Sequence, residues 1–241
     1  MDIEKVIKYY NDIPLSNYDE SGYLKPYGYQ CHVEVLIYKH LKKSGLGLGE
    51  KLAGFLSWVI ISMSIEIVKP VSFQDEIYGV TWHVNRRGPF FRRDFEFYNE
   101  KDELVFHGAT FSVLIDVDKR TIFTNKELPF DLYEDNLKTT IDAIPNFNAK
   151  LDFKEIGVCS VTHSMIDPLG HVNNNKYGEL AYNFLDNNEI KKCKEIKRID
   201  MFFHSEMSLN DVCKVRTYQE LGNIYIQLDS GKKNFSIIYK W

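Results

Sequence analysis

The sequence predicts an α+β protein built from two similar halves, each an antiparallel sheet with one apolar helix. Three observations predict it: runs that alternate apolar and polar residues with period two, a helical apolar stripe in each half, and segments of the first half that return in the second at a fixed offset. The chain has 241 residues, 44% hydrophobic and 27% charged. That profile belongs to a packed globular protein, and the length suits one large domain or two compact ones of about 120 residues.

Taken in order, the first half opens with the turn Asp19-Glu-Ser-Gly22 and continues into Val33, Leu36, Ile37 and Leu41, which share one face of a helix. Strands follow where Ile61, Met63, Ile65 and Ile67 interleave with Ser62, Ser64 and Glu66, and where Ala109, Phe111, Val113 and Ile115 interleave with Thr110 and Ser112. Residues 128–148 carry prolines at both ends and no periodicity, so they read as a linker across the surface. The second half repeats the plan: a turn at Asp167-Pro-Leu-Gly170, a stripe of Leu180, Ala181, Phe184 and Leu185, and strands containing Ile224, Ile226, Leu228 and then Phe235, Ile237, Tyr239 around a turn at Asp229-Ser-Gly231. An offset of 148 relates Asp19 to Asp167, Tyr29 to Tyr177 and Leu36 to Phe184, while 136 relates Ile65–Asp75 to Met201–Asp211. The difference of 12 implies an insertion near Gly45–Gly49. The predicted division is 1–127, a linker 128–148, and 149–241.

The formal charge of -4 argues against a nucleic-acid-binding surface. Cys31, Cys159, Cys193 and Cys213 show neither disulfide-framework nor metal-ligand spacing, so reduced thiols in the cytoplasm are expected, with no metal. The N-terminus is charged where a signal peptide needs an apolar core, and the most apolar stretch, Phe55–Ile67, is too short to span a bilayer, so membrane insertion is not expected.

The stretch Asp167-Pro-Leu-Gly170-His171-Val-Asn173-Asn174-Asn-Lys-Tyr177 is the most informative. Gly170 frees the backbone for a tight turn, Asn173 is a good helix N-cap, and the amides of the helix's first turn can hold an oxyanion. A carboxylate and an imidazole stand just before them. This DxxGHVNNxxY pattern resembles the signature of the hotdog thioesterases, and of the acyl-ACP thioesterase family in particular. Arg92-Arg93-Asp94 after Arg86-Arg87-Gly88, Gly108-Ala-Thr110 leading a strand to Asp116, and Pro70 and Asp75 after Ile65-Glu-Ile fall in matching order.

The resemblance implies two tandem hotdog domains, each an antiparallel sheet wrapped around one central helix, and hydrolysis of fatty acyl-acyl carrier protein without a bound cofactor. It places the family's catalytic Asp on Asp167, its His on His171 and its Glu on Glu206. Its Asn falls on Leu169, a departure, so Asn173 or Asn174 is expected to take the amide's part. The cysteine proposed as nucleophile in plant members falls on Met207, whose thioether cannot attack a carbonyl, so a water activated by Asp167, Glu206 or both is expected, with backbone N–H groups of 172–174 holding the oxyanion. The first half has Tyr23 and Lys25 where His171 and Asn173 stand, which implies one site per chain.

In the implied fold Trp58, Ile60, Met63 and Ile65 line the acyl channel, and Arg92 and Arg93 contact the substrate. Together with Arg86, Arg87 and the run Lys191–Arg198, those arginines are the expected docking surface for the acidic carrier protein. Monomer and homodimer both fit. Two alternatives stay open from sequence: an acyl-CoA thioesterase, which shares the pantetheine arm, and a non-catalytic acyl-binding hotdog protein, which Leu169 suggests.

Overall fold

The computed structural model describes residues 7–46, 52–132 and 138–241. Parts of the expected insertion near Gly45–Gly49, of the N-terminal stretch and of the linker lie outside the described residues.

The first half comprises β1 (Tyr9–Tyr10), α1 (Pro26–Lys43), β2 (Leu56–Ile67), β3 (Ile77–Arg87), β4 (Phe90–Asn99), β5 (Leu104–Asp116) and the short β6 (Thr121–Ile122). The second comprises β7 (Lys154–Ser160), α2 (Asn174–Tyr182), α3 (Asn187–Lys191), β8 (Arg198–Phe203), β9 (Val212–Glu220), β10 (Asn223–Asp229) and β11 (Lys233–Lys240). All the strands join one antiparallel sheet in the order β1-β3-β4-β5-β2-β8-β11-β10-β9-β7, with β6 on β5. The seam between halves is β2 against β8, from Ser62 opposite Phe202 to Glu66 opposite Arg198.

Helix α1 starts with Pro26 at its first position, where the missing N–H costs nothing, and ends with Lys42 and Lys43, whose charge suits the negative helix end. Its predicted stripe, Val33, Leu36, Ile37 and Leu41, is buried against the sheet. Helix α2 is half as long. Its predicted stripe runs past its end, because the chain leaves the helix at Asn183 and Asp186 starts α3 with a capping box to Glu189. Phe184 and Leu185 therefore sit in turns bonded to the carbonyls of Ala181 and Tyr182. The two helices pack on each other, and one apolar cluster unites Leu36, Phe97 and Phe106 of the first half with Tyr177, Ile226 and Phe235 of the second.

The sheet's other face departs from expectation. Ser62 and Ser64, predicted on a wet strand face, are buried. What covers them is the linker, whose backbone is tied across the sheet: Trp82 Nε1 donates to Lys138 O (2.8 Å), Arg92 to Ile141 O (2.7 Å), Arg198 to Asp142 O (2.6 Å) and Ser62 Oγ to Ile144 O (3.0 Å). Phe147 stacks on Phe202 and Tyr225. The linker thus straps the seam from β3 to β10. A segment with no periodicity of its own nevertheless satisfies its carbonyls, because the sheet presents donors at the right spacing.

This corrects the reading of Arg92 as a substrate contact. Its guanidinium pairs with the fully buried Asp94 at 2.7 and 3.0 Å beneath the linker, where Thr140 also donates to Asp94. Arg93 lies on the opposite, helix-side face, in register with Thr110, and is only 8% exposed. Neither arginine offers a surface to a carrier protein.

Asp94→Ala leaves the Arg92 charge and the Thr140 donors without their buried acceptor, so the unfolding free energy is expected to fall by about 3–5 kcal/mol in urea titration. A loss under about 1 kcal/mol would show that the strap does not depend on this pair.

Candidate active site

The Asp167 turn is a compact knot of hydrogen bonds. Asp167 N–H donates to His171 O (2.9 Å), Gly170 N–H to Asp167 O (3.0 Å), and the Asp167 Oδ1 accepts from Leu169 N–H (2.8 Å). Gly170 is at φ +83°, a left-handed conformation that suits glycine. The knot is anchored from the β8–β9 loop: Val172 N–H donates to Met207 O (3.0 Å), and Met207 N–H donates to the Tyr177 hydroxyl (2.9 Å).

Every one of these contacts recurs in the first half. Asp19 N–H donates to Tyr23 O, Gly22 N–H to Asp19 O, Leu24 N–H to Val71 O, and Val71 N–H to the Tyr29 hydroxyl, while Asp19 Oδ1 accepts from Ser21 N–H and Gly22 is at φ +80°. Both offsets read from sequence hold atom by atom. The turn is therefore a scaffold common to both halves. At 148 residues' offset His171 replaces Tyr23, and at 136 Glu206 replaces Pro70.

Those two second-half residues meet: His171 Nε2 is 3.2 Å from Glu206 Oε2, with the side chains 37% and 60% exposed. The buried Asn234 holds the loop in place, donating to Ser205 Oγ (3.1 Å) and Glu206 O (3.3 Å). Met207 is fully buried with its sulfur 3.0 Å from Cys213 Sγ, so that position faces the core. Burial pushes the thiols of Cys31 and Cys193 up to about 12, which suits inert cysteines, and the hydrogen bond between Cys213 and Cys159 raises the first and lowers the second.

The expected oxyanion amides are corrected in part. Val172 N–H is engaged by Met207 O, Asn173 N–H donates to Met165 O (2.9 Å), and Asn175 N–H donates to the Asn173 side chain (3.0 Å), which makes Asn173 the N-cap of α2. Of residues 172–174, the amide left to an oxyanion is that of Asn174, at the positive end of the helix. Leu169 is 58% exposed and points no polar group into the site.

The predicted channel residues divide. Met63 and Ile65 are fully buried in the core between sheet and helices, and Ile60 is buried as well. Trp58 is half-buried, edge-on to Phe91 at 4.8 Å and to Phe130 at 6.2 Å. A surface cleft of about 520 Å³ lies at Phe55, Phe123 and Leu128 and includes no residue of the turn.

The expected single basic face is also corrected. Arg86 sits at the β3–β4 hairpin and donates to Asn125 O and Lys126 O, whereas Lys197 bonds β11 at the far end of β2. The β2 segment between those levels spans roughly 25 Å. Two separate basic patches result. Among the described residues no group of three or more His, Cys, Asp or Glu side chains could hold a metal ion.

One neighbour of the site escaped the sequence reading. Glu34 of α1 is tied from the first half to the start of α2 through Gln30. Burial pushes its carboxyl up to about 7, opposed by a hydrogen bond from Gln30 and aided by the charge of Asp167. Gln30 Nε2, fully buried, donates to Glu34 Oε1 (3.1 Å) and to Asn174 O (2.8 Å), joining α1 to the first turn of α2.

Comparison with known proteins gives the context. Residues 1–128 match the family model of the acyl-ACP thioesterase N-terminal domain, and 149–241 that of the acyl-ACP thioesterase C-terminal domain. The fold is similar to the crystal structure of an acyl-ACP thioesterase from Bacteroides thetaiotaomicron, at 16% identity and a TM-score of 0.80 over 98% of this chain and 97% of that one. It is likewise similar to a 12:0-ACP thioesterase from Umbellularia californica, at 16% identity and a TM-score of 0.77 over 98% and 96%. No curated protein sequence matches the chain.

Because Leu169 is exposed and Gly170 is not replaceable without strain, Leu169→Asn is expected to change the unfolding free energy by less than about 0.5 kcal/mol, and Gly170→Ala to lower it by about 1 kcal/mol or more. Equal effects of the two in urea titration would contradict this account of the turn.

Proposed function

The chain belongs to the acyl-ACP thioesterase family, and from that premise we propose how its second-half turn hydrolyses fatty acyl-acyl carrier protein to free fatty acid and carrier protein. The fold is the tandem hotdog arrangement, and the enzyme is a thioester hydrolase. The observation that supports the site assignment best is the contact of His171 with Glu206, two residues 35 positions apart in sequence that the β8–β9 loop brings together beside the start of α2.

His171 and Glu206 act as one proton-accepting pair. As a water attacks the thioester carbonyl, the imidazole takes its proton and Glu206 stabilises the imidazolium that forms. The Asn174 amide, at the positive end of α2, meets the oxyanion of the tetrahedral intermediate. Asp167 keeps Oδ1 in the turn and presents its second oxygen to order the water. Asn173 contributes through the cap that sets the direction of α2. No cysteine takes part and no resident cofactor is needed, since the substrate brings its own phosphopantetheine arm.

Every group named comes from one chain, so a monomer suffices. The reading places the enzyme in fatty acid biosynthesis in the cytoplasm, which suits its free thiols. No helix among the described residues is long and apolar enough to cross a membrane.

Thiol release from a panel of acyl-ACPs tests this. His171→Ala and Glu206→Gln are each expected to lower kcat by about 10²–10⁴-fold, while Asp19→Asn, in the equivalent first-half turn, leaves it unchanged. Undiminished turnover in both of the former would move the site elsewhere.

A further inference from the structure

The two halves trade side chains across the helix pair. Each turn has a residue of the other half's helix beside it: Gln30 bonds both Glu34 and Asn174 O, which sets the Glu34 carboxyl at the start of α2 just after the Asp167 turn, and Tyr182 of α2, its counterpart at an offset of 148, has its ring beside Lys25 just after the first-half turn. The crossing point is Gly178, where an added Cβ would come 2.6 Å from Gln30 Oε1 and 3.2 Å from Tyr27 Cβ. Without a side chain there, α1 and α2 approach closely enough for Gln30 to reach Asn174 O while holding Glu34. The first-half turn receives a tyrosine, whose ring lies 5.9 Å from Lys25 Nζ and edge-on to Tyr27, and the second-half turn receives a carboxyl. The asymmetry thus follows the same division as His171 against Tyr23.

We propose that Glu34 is a second acid–base group of the hydrolytic site, supplied by the N-terminal half, which donates the proton that the departing pantetheine sulfur requires. The proposal rests on the hydrolase reading above. Hydrolysis moves two protons: one leaves the attacking water for the His171–Glu206 pair, and one must reach the sulfur as the carbon–sulfur bond breaks. The carbon–oxygen bond to water forms, the bonding electrons of the carbon–sulfur bond go to sulfur, and the Glu34 carboxyl gives its proton to that sulfur. Proton return from the imidazolium by way of solvent restores the starting state.

The surroundings suit a carboxyl that holds its proton near neutrality. Glu34 is held by the Gln30 amide, which donates to one oxygen and leaves the other for the proton. The charged and titratable groups acting on it are Asp167 on the turn and Cys31 on its own helix, while Lys176 and Glu179 of α2, which act on Cys31, pair with each other at 2.6 Å. The negative charge of Asp167 and partial burial both oppose ionisation of Glu34. A proton donor for the leaving group is useful when its affinity for the proton lies near the working pH.

The test compares wild type with Glu34→Gln, which keeps the side-chain volume and can still meet Gln30, on two substrates. With fatty acyl-ACP, kcat is expected to fall about 10²-fold or more, and the loss of wild-type rate on the alkaline side of pH 7 is expected to vanish. With an acyl ester of an aromatic thiol, whose sulfur departs without a proton, the variant is expected to stay within threefold of wild type. Equal loss on both substrates, or a retained alkaline limb, overturns the assignment, as does undiminished acyl-ACP turnover. Absence of thiol release from the wild type would overturn the hydrolase reading itself, which separates the two failures. Thermal melting of the variant within 3 °C of wild type is the expected sign that the helix pair is intact.

Discussion

The pairing of β2 with β8 is the constraint on which the rest depends. Each half alone would leave a long edge strand with unpaired backbone groups. Joining the edges makes one sheet, sets α1 beside α2, and carries a single apolar cluster through both halves. Only in that arrangement can Gln30 bridge to the first turn of α2 and Glu34 approach a turn that lies more than a hundred residues away in sequence. The linker locks the seam from the other face. Arg198 links it to both halves at once, bonding Glu66 of β2, Asp200 of β8 and the carbonyl of Asp142.

A duplicated scaffold explains how one half lost or never had the chemistry while both kept the fold. The Asp–Gly turn, its tie to the carbonyl at 71 or 207, and the tyrosine that caps the same loop are structural in both halves. Activity needs only a few side chains set on that frame. In the proposed mechanism His171 and Glu206 provide them in the second half, where the first has Tyr23 and Pro70. Asp167 is accordingly part scaffold and part site, which tempers the weight that its position in the motif suggests.

Much of this was legible in the sequence, and the rest failed for identifiable reasons. The offsets of 148 and 136 read from sequence relate the hydrogen bonds of the two turns residue by residue, because a repeat conserves backbone geometry along with pattern. Asn173 as cap followed from side-chain chemistry alone, and Met207 as a non-nucleophile from that chemistry at the position the family resemblance singles out. The buried faces of Ser62 and Ser64, and the pairing of Arg92, were not readable, since they depend on where an aperiodic linker lies. The amides of Val172 and Asn173 were misassigned because their partners, Met207 O and Met165 O, become visible only when the β8–β9 loop and the turn are folded together. Glu34 was overlooked because it falls beside the stripe of Val33, Leu36 and Ile37 on α1, where a charged residue is ordinarily solvated. The available signal was its alignment with Tyr182 and that of Gln30 with Gly178, a pair of matches that brings a small residue opposite a long polar one.

The central claim is that a chain with two copies of one turn holds one hydrolytic site. Its most direct test is the stoichiometry with which the protein binds a carrier protein bearing an acyl chain through a non-hydrolysable amide, measured by calorimetry. One acyl-carrier bound per chain, with affinity reduced by a bulky replacement at Asn174 and untouched by one at Lys25, is the result the account predicts. Two equivalent molecules bound per chain would contradict it.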